Sequence, residues 1–284
     1  MKTQLIFKND PRYPERLRAI PDAPDFLHVW GDAELLSVPS VAVVGTRTCS
    51  AYGNTQAFAF SQALSQQGLC IVSGLAYGID KMAHEGALKG SGKTIAVVAQ
   101  SIPELQPVAH RELARKIVDT GGAVVSERSL GEVTYKSDYL VRNRIIAGLS
   151  LGTLVVEAPF KSGASNTAKK ALAYGRDLWA IPGRIGDPMS VGCHKLIRDG
   201  AALVTHPKQI TDELEWTWRA GKPQLSGLAK DLYAFLKGKP SSMAVLSSRY
   251  GRELKELYKT LAQLELEGHI RLNIHGIYSV ASGS

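Results

Sequence analysis

From Val41 to about Val204, short β-branched runs alternate with helical stretches, and this alternation constrains the fold more than any other feature of the chain. VAVVG, CIVSG, TIAVVA, AVVSE, TLVVEA and LWAIPG are apolar almost throughout, with no polar face of their own. Strands of that kind are covered on both sides, as in a parallel sheet held between helical layers. YGNTQAFAFSQALSQQG, DKMAHEGALKG, residues 111–119, RNRIIAGLS and NTAKKALAYG supply the helices, and CHKLIRDGAALV closes the pattern. The expected fold is α/β: a Rossmann-like three-layer domain with a mostly parallel sheet, whose ligands belong at the carboxyl ends of the strands.

Around this domain, placed at residues 40–212, three further segments are expected. Residues 1–39 are proline-rich and too short for a core of their own, so they read as a strap packed on the main domain. Residues 213–225 form a Gly/Pro/Ser linker, and residues 226–284 a second small unit. In that unit Leu254, Leu257, Leu261 and Leu264 fall three or four residues apart, the spacing of one helix face, with Gly268 as its stop. RLNI and IYSV flank His275 and Gly276 as a hairpin, so three helices and a β-wing suggest a small winged helix. Its charges alternate, Lys255 and Lys259 with Glu253 and Glu256, which leaves groove binding, protein contact and plain packing open as roles.

With 284 residues, 44% hydrophobic and 21% charged, the chain can bury a large core. No stretch approaches the roughly 20 apolar residues of a membrane helix, and the N-terminus turns polar too soon for a secretory signal, so a cytoplasmic protein with no membrane partner is expected. Cys49, Cys70 and Cys193 are scattered, without a CxxC, and suit reduced thiols better than a disulfide or a zinc site. A net charge of +8 makes anionic partners, nucleic acid among them, the ones to examine.

The tempting motif GSGKT, residues 90–94, fails as a nucleotide-binding P-loop: Ala87 stands where the first glycine belongs, and the stretch follows a helix and opens a strand. HExxH and GxSxG are absent, and the seven histidines have no metal-ligand spacing, so neither a metal nor another cofactor is expected. Asp80 and His84, four residues apart, read as a helix-capping carboxylate and its neighbour before they read as a catalytic pair. Glu127 and Glu157 end strands on the ligand side, which keeps a hydrolytic carboxylate open.

What remains is a set of loops at strand ends with one shared character. Thr46 and Arg47 follow VAVVG; Gly74 and the sequence LAYG follow CIVS; Lys161, Ser162 and Gly163 follow TLVVEA and lead into a helix. Glycines admit an anion to backbone N–H groups, Thr46 and Ser162 offer hydroxyls, and Arg47 and Lys161 offer charge. In KSDYLVRNRIIAGLS, Arg142 and Arg144 stand near Tyr139, on which a base could stack; the alternative is a core tyrosine with two arginines in surface ion pairs.

These motifs occur in a known order. VVGTR, SGLAYGIDKMAHEGAL, TIAVV, SE, RNRIIAGLS, VVEA, SGASNTAKKA, IPG and SVGCHKLIRDGA resemble the DNA-processing family DprA, also called Smf, over nearly the whole chain. The resemblance implies a non-enzymatic protein that binds single-stranded DNA, forms a homodimer through its Rossmann-like domain and loads the RecA recombinase during natural transformation. By motif position it places the DNA pocket at Thr46, Arg47, Gly74, Tyr139, Asn143, Lys161, Ser162 and Gly163, with Tyr139 where the family usually has Phe. The sequence departs from the family pattern at Gln100 and Ser101, where a glycine is usual, at Gln106-Pro107 for Tyr-Pro, at Leu140 for Pro and at His194 for Asn. The longer N-terminal helical module of some members is not seen. The competing reading is a related enzyme that cuts nucleoside monophosphates, but its PGGxGTxxE stretch is replaced by SGASNTAKKA, with lysines near the acid's place. A duplex-binding regulator using the wing is the third.

Overall fold

The computed structural model describes residues 3–90, 93–216, 227–250, 254–266, 270–273 and 276–280. The chain divides into two compact units, residues 1–216 and 217–284.

The first unit is built on a nine-stranded sheet in the order β1-β2-β6-β5-β4-β3-β7-β8-β9. In chain order the strands are β1 (Gln4–Phe7), β2 (Phe26–Gly31), β3 (Ser40–Val44), β4 (Cys70–Ser73), β5 (Thr94–Val97), β6 (Ala123–Ser126), β7 (Gly152–Val155), β8 (Asp177–Ala180) and β9 (Ala202–Leu203). From β6 across to β9 all neighbours are parallel, as the apolar runs require. The helices are α1 (Glu15–Arg18), α2 (Ala51–Gln66), α3 (Ile79–Lys89), α4 (Arg111–Asp119), α5 (Asp138–Leu149), α6 (Gly163–Ala173), α7 (Val191–Arg198) and α8 (Pro207–Glu213).

Strand residues alternate between two apolar layers. Val41, Val43, Ile71 and Leu154 pack with Ala57, Phe60 and Leu64 of α2 and Ile79 and Ala83 of α3. Ala42, Val44, Val72 and Val155 pack with Ile145, Ile146 and Leu149 of α5, Ala164 and Ala168 of α6 and Cys193 of α7. This is the three-layer arrangement expected of a doubly wound sheet. The chain order reverses direction beside β3, which pairs with β4 on one side and β7 on the other. That topological switch point fixes where a ligand crevice opens.

The N-terminal segment is more than a strap. β1 pairs antiparallel with β2, and β2 antiparallel with β6, so both extend the main sheet. Leu17 and Ile20 beyond β1 enter the same apolar layer as α5.

His84 is buried and donates from Nδ1 to Thr94 Oγ1 at 2.8 Å, because the Thr94 hydroxyl is itself committed to the Ile71 carbonyl at 2.7 Å. It makes no pair with Asp80, and its Nε2 has no hydrogen-bond partner among the described residues. Burial, with His110 and Arg142 nearby, pushes its pKa down to about 3. The unfolded chain would bind this proton near pH 6.5 and the folded chain would not, so folding loses up to about 1.4 kcal/mol per pH unit as pH falls from there toward 3. Urea unfolding of wild type and His84→Gln at pH 7 and pH 5 checks this. The variant is expected to lose less stability on acidification; equal losses would contradict the assignment.

The second unit contains α9 (Gly227–Gly238), α10 (Met243–Tyr250), α11 (Leu254–Leu266) and strands β10 (Ser241–Ser242), β11 (Ile270–Leu272) and β12 (Ile277–Val280), paired antiparallel in the order β10-β12-β11. Leu257, Leu261 and Leu264 are buried with Leu232, Leu236 and Leu246. Leu254, at the first position of α11, is 54% exposed and lies outside that buried cluster. The expected helix stop at Gly268, the hairpin residue His275 and most of the 213–225 linker lie outside the described residues.

Candidate nucleic-acid interface

Three loops meet at the carboxyl edge of the sheet, and Thr46 joins them. Its N–H donates to the Glu157 carbonyl beyond β7 at 2.8 Å, and its carbonyl accepts the Ile79 N–H at the start of α3 at 3.2 Å. Its Oγ1 accepts from the Thr48 N–H at 3.3 Å. Thr46 is therefore buried as the tie between loops, and Arg47 next to it is exposed. Gly78 has φ +72°, and a Cβ there would lie 2.4 Å from the Thr46 carbonyl oxygen, so the approach of the two turns requires glycine.

Arg47 stands at the centre of three adjoining recesses. The first, about 70 Å³, is walled by Gly45, Arg47, Tyr139, Asn143 and Gly163. The second, about 230 Å³, lies among Arg47, Gly74, Tyr77, Gln100, Pro107 and Tyr139. The third, about 550 Å³ and more open, runs past Arg47, Thr48, Asn54, Tyr77 and Lys81. The guanidinium of Arg47 sits over the Tyr139 ring, 5.1 Å from its centroid. One face of the expected stacking ring is thus already held by a cation.

Helix α6 begins at the side of the first recess. Ser162 is its N-cap and accepts the Ser165 N–H at 3.2 Å. Gly163 is exposed, and a Cβ on it would meet nothing within 4 Å. Asn143 donates to the Gly163 carbonyl at 3.2 Å, which ties α5 to this helix mouth. Lys161, one residue before the cap, is exposed. The N-terminus of α2, by contrast, is filled from within. Glu157 is buried and accepts from the Ser50 N–H at 2.9 Å and from the Ser50 hydroxyl at 2.6 Å. Its carboxylate neutralises that helix end, whereas the first turn of α6 holds no acidic residue.

Of the two arginines expected in the pocket, Arg142 lines the first recess, and both are engaged by partners within the protein. Arg142 is buried and donates to the carbonyls of Gly74 (2.8 Å) and Val97, so it lies under the cleft as a support. Burial pushes its pKa down to about 10, against the pull of Asp80. Gly74 makes room for it, since a Cβ there would fall 2.3 Å from Arg142 Nη1. Arg144 forms a two-pronged pair with Glu127, at 3.2 and 2.6 Å, and is absent from the walls of all three recesses. Both strand-end carboxylates, Glu127 and Glu157, are therefore engaged. Among the residues lining the recesses, the carboxylate is Asp80. It is buried, accepts the Gly74 N–H at 3.1 Å, and burial raises its pKa. It sits one residue inside α3, whose cap position belongs to Gly78.

Two residues outside the expected site also shape the cleft. Tyr77 is 49% exposed and rests edge-on against His110, with ring centroids 4.8 Å apart. Gln100 donates to the Tyr139 hydroxyl at 2.8 Å. Tyr77 was legible as an aromatic in the LAYG loop, and Gln100 only as a departure from the family pattern.

Fold and cleft together define a Rossmann-like α/β protein whose switch point carries a basic, partly aromatic crevice. The chain belongs to the DNA recombination-mediator protein A family, whose model matches residues 4–215. Protein Smf of Escherichia coli K12 is 39% identical over 278 residues, covering 94% of this chain and 74% of that protein. DNA processing protein DprA of Streptococcus pneumoniae is 44% identical over 207 residues, 73% of each chain. The X-ray structure of the S. pneumoniae protein superposes with a TM-score of 0.71 at 42% identity, covering 76% of each chain. A structure of DNA processing protein A from Helicobacter pylori, described for its single-stranded DNA binding mode, superposes with a TM-score of 0.64 at 29% identity, covering 71% of this chain and 92% of that one.

Proposed function

We propose that this protein binds single-stranded DNA along the switch-point crevice, without breaking a covalent bond. The observation that carries the reading is Arg47: exposed, shared by all three recesses and stacked on Tyr139, beside an α6 whose first turn holds no acidic residue. A backbone phosphate suits the Ser162–Gly163 end of α6 with Lys161 beside it, and unstacked bases suit the tyrosines. Thr46 and Gly74 act through loop geometry, Asn143 by holding the helix mouth, and Arg142 from beneath. Duplex DNA lacks the splayed bases that the aromatic walls accept. Family membership supports the wider reading: a homodimer through the Rossmann-like unit, delivery of the strand to RecA in natural transformation and recombination, a cytoplasmic place of action, and a winged-helix role for the second unit. No helix among the described residues is long and apolar enough to cross a membrane. Sedimentation and RecA filament growth on protein-bound strands test the dimer and the delivery; a monomer, or growth no faster than on naked DNA, would count against them.

Oligothymidine binding measured against duplex across a salt series tests the central reading. Single strands are expected to win, with affinity falling steeply as salt rises. Lys161→Ala is expected to weaken binding about three- to tenfold and to make the log–log salt slope shallower by about one. Equal or better duplex binding, or an affinity indifferent to salt, would refute the proposal.

A further inference from the structure

We propose that the Tyr139 hydroxyl and the Gln100 amide form a hydrogen-bonding pair that reads the edge of one nucleobase in the second recess. The inference deepens the single-strand reading above and rests on it. Both residues line that recess, and the Gln100 side-chain nitrogen lies 2.8 Å from the Tyr139 oxygen. Gln100 is buried, 3% exposed, and its backbone carbonyl is pinned by the Ser126 hydroxyl at 2.6 Å. The same hydroxyl oxygen accepts the Arg128 N–H at 3.0 Å, so the Gln100 backbone is fixed from the end of β6.

The tyrosine ring is held from a second direction by Arg47 over its face. An oriented phenol has one proton and lone pairs to distribute. When Gln100 donates to the oxygen, the phenol proton is released for an acceptor in the recess. With the amide in its other orientation, the phenol donates to Gln100, and the amide N–H and the phenol lone pair are released instead. Either way the pair keeps a polar group for a base edge, within a recess where Ala76, Ala99 and Pro107 offer apolar surface and Arg47 and Gln106 are the other polar side chains beside Tyr77. A phenylalanine at 139 would supply stacking alone. With Tyr139, a base that hydrogen-bonds binds better than one of the same shape that cannot.

The experiment compares oligothymidine with an oligomer of the 2,4-difluorotoluene nucleoside, which keeps the shape and stacking face of thymine and lacks its strong acceptors and donor. Wild type is expected to prefer oligothymidine by about three- to tenfold, the worth of one or two net hydrogen bonds. In Tyr139→Phe the ratio of the two affinities is expected to fall toward one, and in Gln100→Leu to fall part of the way. Thermal unfolding of each variant establishes that it is folded before the ratio is read. A wild-type ratio near one, with both oligomers bound, would overturn base reading and leave strand binding standing. So would a ratio that survives in both variants. Failure of wild type to bind either oligomer would overturn the single-strand reading itself, and this inference with it.

Discussion

Replacing Arg47 with alanine is expected to weaken single-stranded DNA binding by about 1.5–3 kcal/mol, or roughly 10- to 150-fold, while leaving the unfolding midpoint within about 0.5 kcal/mol of wild type. The size of the effect follows from position. Arg47 borders all three recesses, so one side chain can meet both a phosphate and a stacked base. The stability forecast follows from exposure: Arg47 stands on a loop tip whose backbone is fixed by Thr46. Fluorescence anisotropy with a labelled oligothymidine, together with urea unfolding, reads both quantities. Full affinity in the variant would remove Arg47 from the site. A large stability loss would show that it serves the fold instead.

Arg142 should behave in the opposite way. Arg142→Met removes the donor that satisfies the Gly74 and Val97 carbonyls and leaves the buried Asp80 without its nearby cation. Breaking such a buried arrangement by deleting one partner costs about 3–5 kcal/mol. The urea midpoint is expected to drop accordingly, at an unchanged denaturant slope. Arg142→Lys recovers only part of the loss, because a single ammonium on a different stem cannot match the guanidinium fork that spans the two carbonyls. A near-wild-type midpoint for Arg142→Met would show that the contacts beneath Gly74 carry no net stability.

The contrast between these residues explains what could be read from the chain. The parallel sheet was legible because VAVV, CIVS, TIAV and AVVS leave no face for water. β1 was not, since three of its four residues are exposed in the folded protein and QLIF lies in a proline-rich context. β2 mixes buried and half-buried positions and gains its meaning only from β6, nearly one hundred residues away in the chain. At the cleft, the placement of Arg47, Ser162 and Gly163 was legible from loop position because strand ends and helix starts are local properties.

Arg142 and Arg144 were grouped with Tyr139 by proximity alone. Residues two apart on a helix point to nearly opposite sides, so both could not serve one cleft. Choosing between them required the partners Gly74 and Glu127, which only the folded chain supplies. The contact of Gln100 with Tyr139 was invisible for a similar reason: it spans 39 positions.

The central claim is that an extended strand lies across Arg47 with a phosphate at the mouth of α6, and a crystal structure with a short oligothymidine measures it most directly. The expected density runs past Tyr139 and Tyr77, with a phosphate within hydrogen-bond distance of the Ser162–Gly163 backbone. A strand ordered elsewhere on the protein, with the crevice filled only by solvent, would contradict the account.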